Sequence, residues 1–173
     1  ARILFRDFYK QFGGRIRLLA TGMAPIRSTI GKFFQQLQLP LCESYGMVEA
    51  GSLTYRPPNS KEFGSVGKLL PSVNVSFEPD GEIIVSRDNP LTLRYFQCAE
   101  GENERTFVAP NRIATGDLGR LDADGNLYLL GRKKELLVTP GGLKVHPAVI
   151  EQELNECTDV AHSVFFLRPG AAH

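Results

Sequence analysis

Apolar residues recur at helical spacing in ARILFRDFYKQFGG, where Ile3, Leu4 and Phe8 fall together and a glycine pair supplies the stop. The next run, RIRLLATG, lacks strict alternation. That predicts a short strand buried on both faces, as in a parallel sheet. APIRSTIGKFFQQLQ returns to helical spacing. Pro25 suits a first turn, and Ile26, Ile30, Phe33, Phe34 and Leu37 share one face. LPLCESYG predicts a second strand, so Arg15 to Gly46 forms a strand–helix–strand unit. The loop that follows lies at the carboxyl end of a strand, the edge at which open α/β sheets bind ligands.

After Arg56 the pattern changes. RPPNSKEFGS is polar and broken by prolines, a boundary signal. VNVSFE and EIIVSR then alternate on either side of Asp80-Gly81, and TGDLGRLD and NLYLLGR do the same around Asp124-Gly125. The middle of the chain is therefore antiparallel β, with no long helix. KELLVT-PGG-LKVHP predicts a third hairpin, HPAVIEQELNE a short helix with Pro147 in its first turn, and VAHSVFFLRPG one more strand. The fold class expected is mixed α/β in three parts. Residues 1–56 end a large α/β sheet unit, 57–131 form an antiparallel, barrel-like β subdomain, and 132–173 open a small α+β carboxyl-terminal domain.

Composition narrows the class without choosing a chemistry. The 173 residues suffice for a real core. A net charge of +1 gives no global field for nucleic acid or a membrane surface. Cys42, Cys98 and Cys157 are odd in number and widely spaced, which suggests neither a disulfide frame nor a zinc site and points to a reducing, cytoplasmic compartment. No apolar run approaches the roughly 20 residues of a membrane span.

Each candidate motif has an ordinary reading when taken alone. Tyr45 in ESYGMVEAGS is a strand-end aromatic, and Glu49 a surface acid. Asp117 in Thr115-Gly116-Asp117 caps a turn. Arg132-Lys133-Lys134-Glu135 is a solvated charge run. Gly141-Gly142 serves a tight hairpin, and His146 is a turn histidine before a proline.

In their order and spacing, however, these elements resemble the adenylate-forming superfamily: acyl-CoA synthetases, luciferases and peptide-synthetase adenylation domains. The family's Tyr-Gly-x-Thr-Glu stands here as Tyr45-Gly46-Met47-Val48-Glu49, its Thr-Gly-Asp as Thr115-Gly116-Asp117, and its Gly-Arg hinge as Gly131-Arg132-Lys133-Lys134. TGMAPI and GGLKVHPAVIE match two further elements, and GRKKE with a following GG looks most like the fatty-acid–CoA ligase branch. The resemblance implies ATP-dependent activation of a carboxylic acid as an acyl-adenylate, with AMP then displaced by the thiol of coenzyme A. It implies that Tyr45 stacks on adenine, with Gly46, Met47 and Val48 in the same loop. Gly22, Met23, Ala24 and Pro25 would line the nucleotide pocket with backbone. Asp117 would take the ribose hydroxyls and Arg132 would add a fixed positive fork. Glu49 would be the catalytic carboxylate that holds Mg²⁺, a hard cation that takes oxygen ligands. Lys134 marks the swivel of the small domain, and Gly141 and Gly142 border the thiol's path.

Two departures bear on activity. Val48 replaces a threonine whose hydroxyl donates to the α-phosphate; losing such a donor costs about 3–4 kcal/mol. A phosphate-binding loop upstream and a catalytic lysine downstream, both implied by the resemblance, have no counterpart here; Lys144 is the last lysine. The chain alone is therefore expected to be catalytically silent, to bind nucleotide weakly and to self-associate. Transfer to an acyl carrier protein instead of coenzyme A, and a degenerate nucleotide-binding module, are the alternative readings.

Overall fold

Two three-residue strands joined by a helix open the fold. The computed structural model describes residues 5–24, 26–90, 92–157 and 159–167, so Ile3, Leu4 and Pro25 lie outside the described residues. Helix α1 (Arg6–Gln11) stops at Gly13 and Gly14, both left-handed with φ of 68°. Strand β1 (Leu19–Thr21) pairs in parallel with β2 (Leu41–Glu43), and α2 (Ser28–Gln36) crosses between them. This is the expected unit, with two differences. Leu19 and Thr21 are half-buried and Ala20 is exposed, so β1 is not buried on both faces; among the described residues it has one strand neighbour. Helix α2 begins at Ser28, leaving Ile26 ahead of it, and on its apolar face Ile30 and Phe33 are exposed. Periodicity identifies an apolar face but not whether anything covers it.

Past β2 the chain makes a tight hairpin of β3 (Gly46–Met47) and β4 (Gly51–Ser52) and enters an antiparallel sheet. That sheet comprises β5 (Thr54–Tyr55), β6 (Gly67–Leu69), β7 (Asn74–Phe77), β8 (Glu82–Ser86), β9 (Arg112–Leu121) and β10 (Asn126–Arg132), in the order β5-β6-β10-β9-β8-β7. A five-residue helix, α3 (Glu102–Thr106), interrupts the β8–β9 connection. The hairpins at Gly81 and Gly125 form as expected, with φ of 90° and 80° at the two glycines. The curled sheet is the half-barrel anticipated for this stretch. One face of it carries Val66, Ile83, Val85, Ile113 and Leu127, and the core there also includes Leu53, Tyr45 and Ala50 from the β3–β4 region. Each fully buried aliphatic contributes about 1.5–3 kcal/mol. The Tyr45 loop is thus part of the core of the sheet, which fixes their relative position.

A buried ion pair fastens the first unit to the sheet. Glu43 and Arg56 exchange backbone hydrogen bonds, and Arg56 Nη2 lies 2.8 Å from Glu43 Oε2 with both side chains enclosed. After β10 come a single 3₁₀ turn (Lys133–Glu135), the hairpin β11 (Leu137–Val138) with β12 (Lys144–Val145), and α4 (Pro147–Asn155), which starts behind His146 as expected. The strand expected in VAHSVFFLRPG does not form within residues 159–167; the rest of that stretch lies outside the described residues. Its polar groups bond to α4 instead. Ser163 Oγ donates to Glu151 O, and Phe165 N to Glu151 Oε1 at 2.7 Å. A strand needs a ladder partner, and here helix side chains take that role.

Candidate functional site

The Thr-Gly-Asp element sits on a bulge. In the β8–β9 ladder Glu82 faces Leu118 and Ile84 faces Ala114, so Thr115, Gly116 and Asp117 together oppose Ile83 alone. A bulge of this size leaves backbone donors without ladder partners. Side chains supply them. Thr115 Oγ1 donates to Ile83 O and accepts from Asp117 N, both at 3.0 Å. Glu82 Oε1 accepts from Gly116 N at 3.1 Å. Gly116 has a φ of 71° with open space where a Cβ would lie, so the glycine serves the turn, not a close approach.

The bulge presents the Asp117 carboxylate to two partners. Tyr45 Oη donates to Oδ2 at 2.6 Å, and Arg132 Nε lies 3.0 Å from Oδ1. Residues from the β2–β3 junction, β9 and the end of β10 therefore meet at one carboxylate. Burial raises the Asp117 pKa from its ordinary value, against the opposing pull of the Tyr45 hydroxyl and Arg132. Burial, reinforced by the charge of Asp117, also pushes the Tyr45 phenol up, so it remains a donor. Tyr45 is 8% exposed and belongs to the core of the sheet, and its hydroxyl reaches Asp117. Arg132 is half exposed beside them. Its neighbour Lys133 is not part of a merely solvated run: Nζ is 2.8 Å from Asp80 Oδ2 and 2.6 Å from Glu82 Oε2. Those two hydrogen bonds raise the Lys133 pKa, and the one to Asp80 lowers the Asp80 pKa.

Glu49 stands apart from this cluster. It is half-buried on the β3–β4 connection, and the Tyr95 hydroxyl donates to its Oε1. Burial, then this hydrogen bond, raises the Tyr95 pKa. The backbone of the connection is tied down as well: Thr92 N donates to Glu49 O, and the Arg87 guanidinium to Ala50 O. Among the described residues no cluster of three or more His, Cys, Asp or Glu side chains forms a metal cage. Val48 is 86% exposed, so nothing in the packing requires an apolar side chain there.

The remaining candidates divide by the reason for their residue type. A Cβ on Gly22 would meet Ser44 O at 2.7 Å, and one on Gly46 would meet Gly51 O at 2.5 Å; both glycines permit close backbone approach. Met23 holds a left-handed φ of 68° with its side chain fully exposed, an unusual posture for a residue with a Cβ. Ala24 is exposed beside it. Lys134 is exposed within the 3₁₀ turn. Gly142 needs its φ of 81° for the β11–β12 turn, whereas Gly141 has no such requirement. Among the described residues no hydrogen bond or ion pair joins Gly141 or Gly142 to Tyr45, Asp117 or Arg132. No motif in the sequence marks Glu82, Tyr95 or Glu43; the one available signal is an acid at the start of an apolar strand, as in EIIVS.

No family model matches the chain. A long-chain-fatty-acid–CoA ligase of Mycobacterium bovis is 34% identical over 154 residues, covering 88% of this chain and 25% of the ligase. An o-succinylbenzoate–CoA synthetase of Bacillus subtilis, solved with its acyl-adenylate intermediate, has a TM-score of 0.76 at 29% identity, covering 93% of this chain and 36% of that one. The same enzyme in complex with ATP and a magnesium ion gives 0.68 at 30% identity, covering 79% and 30%. The chain spans about a quarter of the length of the curated relatives it matches. Over nearly its whole length the chain is therefore similar to acyl-CoA ligases in sequence and to adenylate-forming enzymes in fold.

Proposed function

We propose that the protein carrying this chain activates a carboxylic acid of fatty or other apolar type with ATP and passes the acyl group to coenzyme A. A carboxylate oxygen attacks the α-phosphorus, the bond to the β-phosphate breaks, and pyrophosphate leaves. The thiol sulfur then attacks the acyl carbon, and AMP leaves. The observation that supports this most is the meeting of Tyr45, Asp117 and Arg132 at one partly buried carboxylate. An acceptor-only group held on a rigid bulge is suited to a ribose diol, and Arg132 can swing from Asp117 to phosphate, since it is half exposed. In this reading Tyr45 walls the base and buttresses Asp117. Gly22, Met23, Ala24 and Pro25 border the nucleotide, with Gly46, Met47 and Val48 beside the phosphates. Gly141 and Gly142 flank the thiol.

Glu49 fits Mg²⁺ as a single carboxylate, because that ion is usually held by one or two carboxylates together with substrate phosphates. The ion would offset charge on the phosphates; the contribution of the chain is to hold Glu49 in place through Tyr95. Lys134 is the swivel between the half-reactions. The three free cysteines, Cys42 among them buried with its thiol pKa raised chiefly by burial, suit a cytoplasmic setting. Among the described residues no helix is long and apolar enough to cross a membrane. The exposed Ile30 and Phe33 face favours self-association of the chain when alone.

The test is acid-dependent exchange of labelled pyrophosphate into ATP by the intact protein, followed by a thioester assay with coenzyme A against an acyl carrier protein. Exchange that depends on fatty acids, with Asp117→Ala raising KM for ATP equally for every acid, is the expected result. Absence of exchange would favour a non-catalytic nucleotide-binding module, the reading to which valine in place of threonine at position 48 points.

A further inference from the structure

Glu82 is 8% exposed and its two carboxylate oxygens serve different parts of the chain. Oε1 accepts from Gly116 N in the bulge that carries Asp117, and Oε2 accepts from Lys133 Nζ at the start of the 3₁₀ turn. Asp117 is in turn 3.0 Å from Arg132, the residue before Lys133. The two segments Gly116-Asp117 and Arg132-Lys133 are ladder partners at Asp117 and Arg132, and side chains join them twice more, once directly and once through β8. The β9–β10 ladder shifts register between Leu129 and Gly131, next to this pairing, so the side-chain ties reinforce it where it is irregular. Lys133 has a second anchor in Asp80, on the turn that leads into β8. Glu82 is almost enclosed by these contacts, and a carboxylate in that position is kept only if both oxygens are satisfied.

We infer that Glu82 is the positioning residue that holds the ribose-facing bulge and the base of the swivel as one rigid piece. Rotation is then confined to Lys134 and beyond, while Asp117 keeps its place through both half-reactions. The inference rests on the function proposed above, since it takes Asp117 as a nucleotide contact and Lys134 as the swivel. Glu82 touches no substrate; it acts through Gly116 and Lys133.

The experiment compares Glu82→Ala, Glu82→Gln and Lys133→Met in the intact protein, with Asp117→Ala as reference. The readouts are KM for ATP in pyrophosphate exchange, the ratio of thioester to adenylate formation, and the melting temperature. Glu82→Ala loses both contacts and is expected to raise KM for ATP about tenfold, the scale of a lost charge-assisted hydrogen bond, and to change the ratio. Glu82→Gln keeps an oxygen for Gly116 N but turns its amide protons toward the lysine. It is expected to recover most of the nucleotide affinity and to share the altered ratio with Lys133→Met. If Asp117→Ala raises KM for ATP while folded Glu82→Ala or Glu82→Gln differs from wild type only in melting temperature, the positioning role is overturned. If Glu82→Ala does not fold, Glu82→Gln and Lys133→Met with a wild-type ratio overturn it equally. An Asp117→Ala protein with unchanged KM overturns the nucleotide reading itself, a result distinct from both.

Discussion

The Tyr45 hydroxyl donates a hydrogen bond to Asp117 at 2.6 Å, so a core aromatic and a candidate ligand-binding acid are held as one unit. Because burial raises the Asp117 pKa in the fold above its unfolded value of about 3.9, the stability it contributes is full below that value and is lost as pH rises through the folded pKa. At neutral pH the ionised carboxylate is thus a cost to the fold. Asp117→Asn keeps the shape and an acceptor for Tyr45, and the ion pair it removes involves a half-exposed arginine, worth little in water. The variant is expected to melt no lower than wild type near pH 7 and to bind AMP more weakly. Calorimetry and a thermal melt check this; a lower melting temperature with unchanged AMP affinity would make Asp117 a structural residue.

Glu43 and Arg56 carry a prediction that concerns the fold alone. Their side chains are 5% and 3% exposed, and Ile26 N also donates to Glu43 at 3.3 Å. Arg56→Met leaves a buried carboxylate without its partner, which costs about 3–5 kcal/mol. For a chain of this size that is a fall in melting temperature of about 10 °C. Adding Glu43→Gln to Arg56→Met removes the orphaned charge and should restore much of the loss. A single variant within about 1 kcal/mol of wild type in a denaturant titration would mean that water reaches Glu43.

The parts of this picture that could be read from the sequence are those that depend on local information. Asp80-Gly81 and Asp124-Gly125 between alternating runs predict hairpins because the turn chemistry and the pattern lie side by side. VAHSVFFLRPG misleads because its apolar density says nothing of a ladder partner, and Glu151 of α4 takes its polar groups instead. Helix α2 shows its apolar face in its spacing, yet Ile30 and Phe33 remain uncovered. At the site, Tyr45, Asp117 and Arg132 are legible as motif residues. Their contacts with one another are not, and neither is Glu82. Arg132-Lys133 reads as a solvated run because Asp117, Asp80 and Glu82 lie on other elements, brought near only by the order of the sheet.

Glu156 links the end of α4 to the start of α2. One oxygen accepts from Ser28 N at 2.6 Å and the other from Ser28 Oγ at 2.8 Å, while Arg27 holds Ala161 O nearby. Burial raises the Glu156 pKa, but the Ser28 and Thr29 donors outweigh it and the net direction is down. A carboxylate with a depressed folded pKa contributes stability above its unfolded value, about 4.3, and loses it as pH falls through the folded pKa. Acidification below about pH 4 should therefore release α4 from α2 before the sheet unfolds. Amide exchange at Ser28 and Thr29, followed from pH 7 to pH 3, should accelerate beyond the intrinsic pH trend. Glu156→Gln should show the faster exchange already at pH 7. Exchange that stays slow in Glu156→Gln would mean that other contacts hold the two elements.

Val48 offers a gain rather than a loss. Its side chain is 86% exposed at the tip of the β3–β4 hairpin, next to Glu49, so threonine of the same branched shape can replace it with little effect on stability, within about 0.5 kcal/mol. The resemblance to adenylate-forming enzymes places a hydroxyl donor at this position, aimed at charge that builds on the α-phosphate. Such a donor is worth about 3–4 kcal/mol where its absence has been tested in other sites. If no other group in the protein replaces it, Val48→Thr should speed single-turnover adenylate formation by at least about tenfold, a fraction of that range. Val48→Ala is the needed companion, since it opens the same space without adding a donor. A gain in threonine alone assigns the effect to the hydroxyl. An equal gain in alanine assigns it to space around the phosphates. A threonine variant no faster than wild type would show either that the donor is already supplied from elsewhere or that position 48 does not face the reacting phosphate, and in the second case the role given to the Tyr45–Glu49 loop would fall with it.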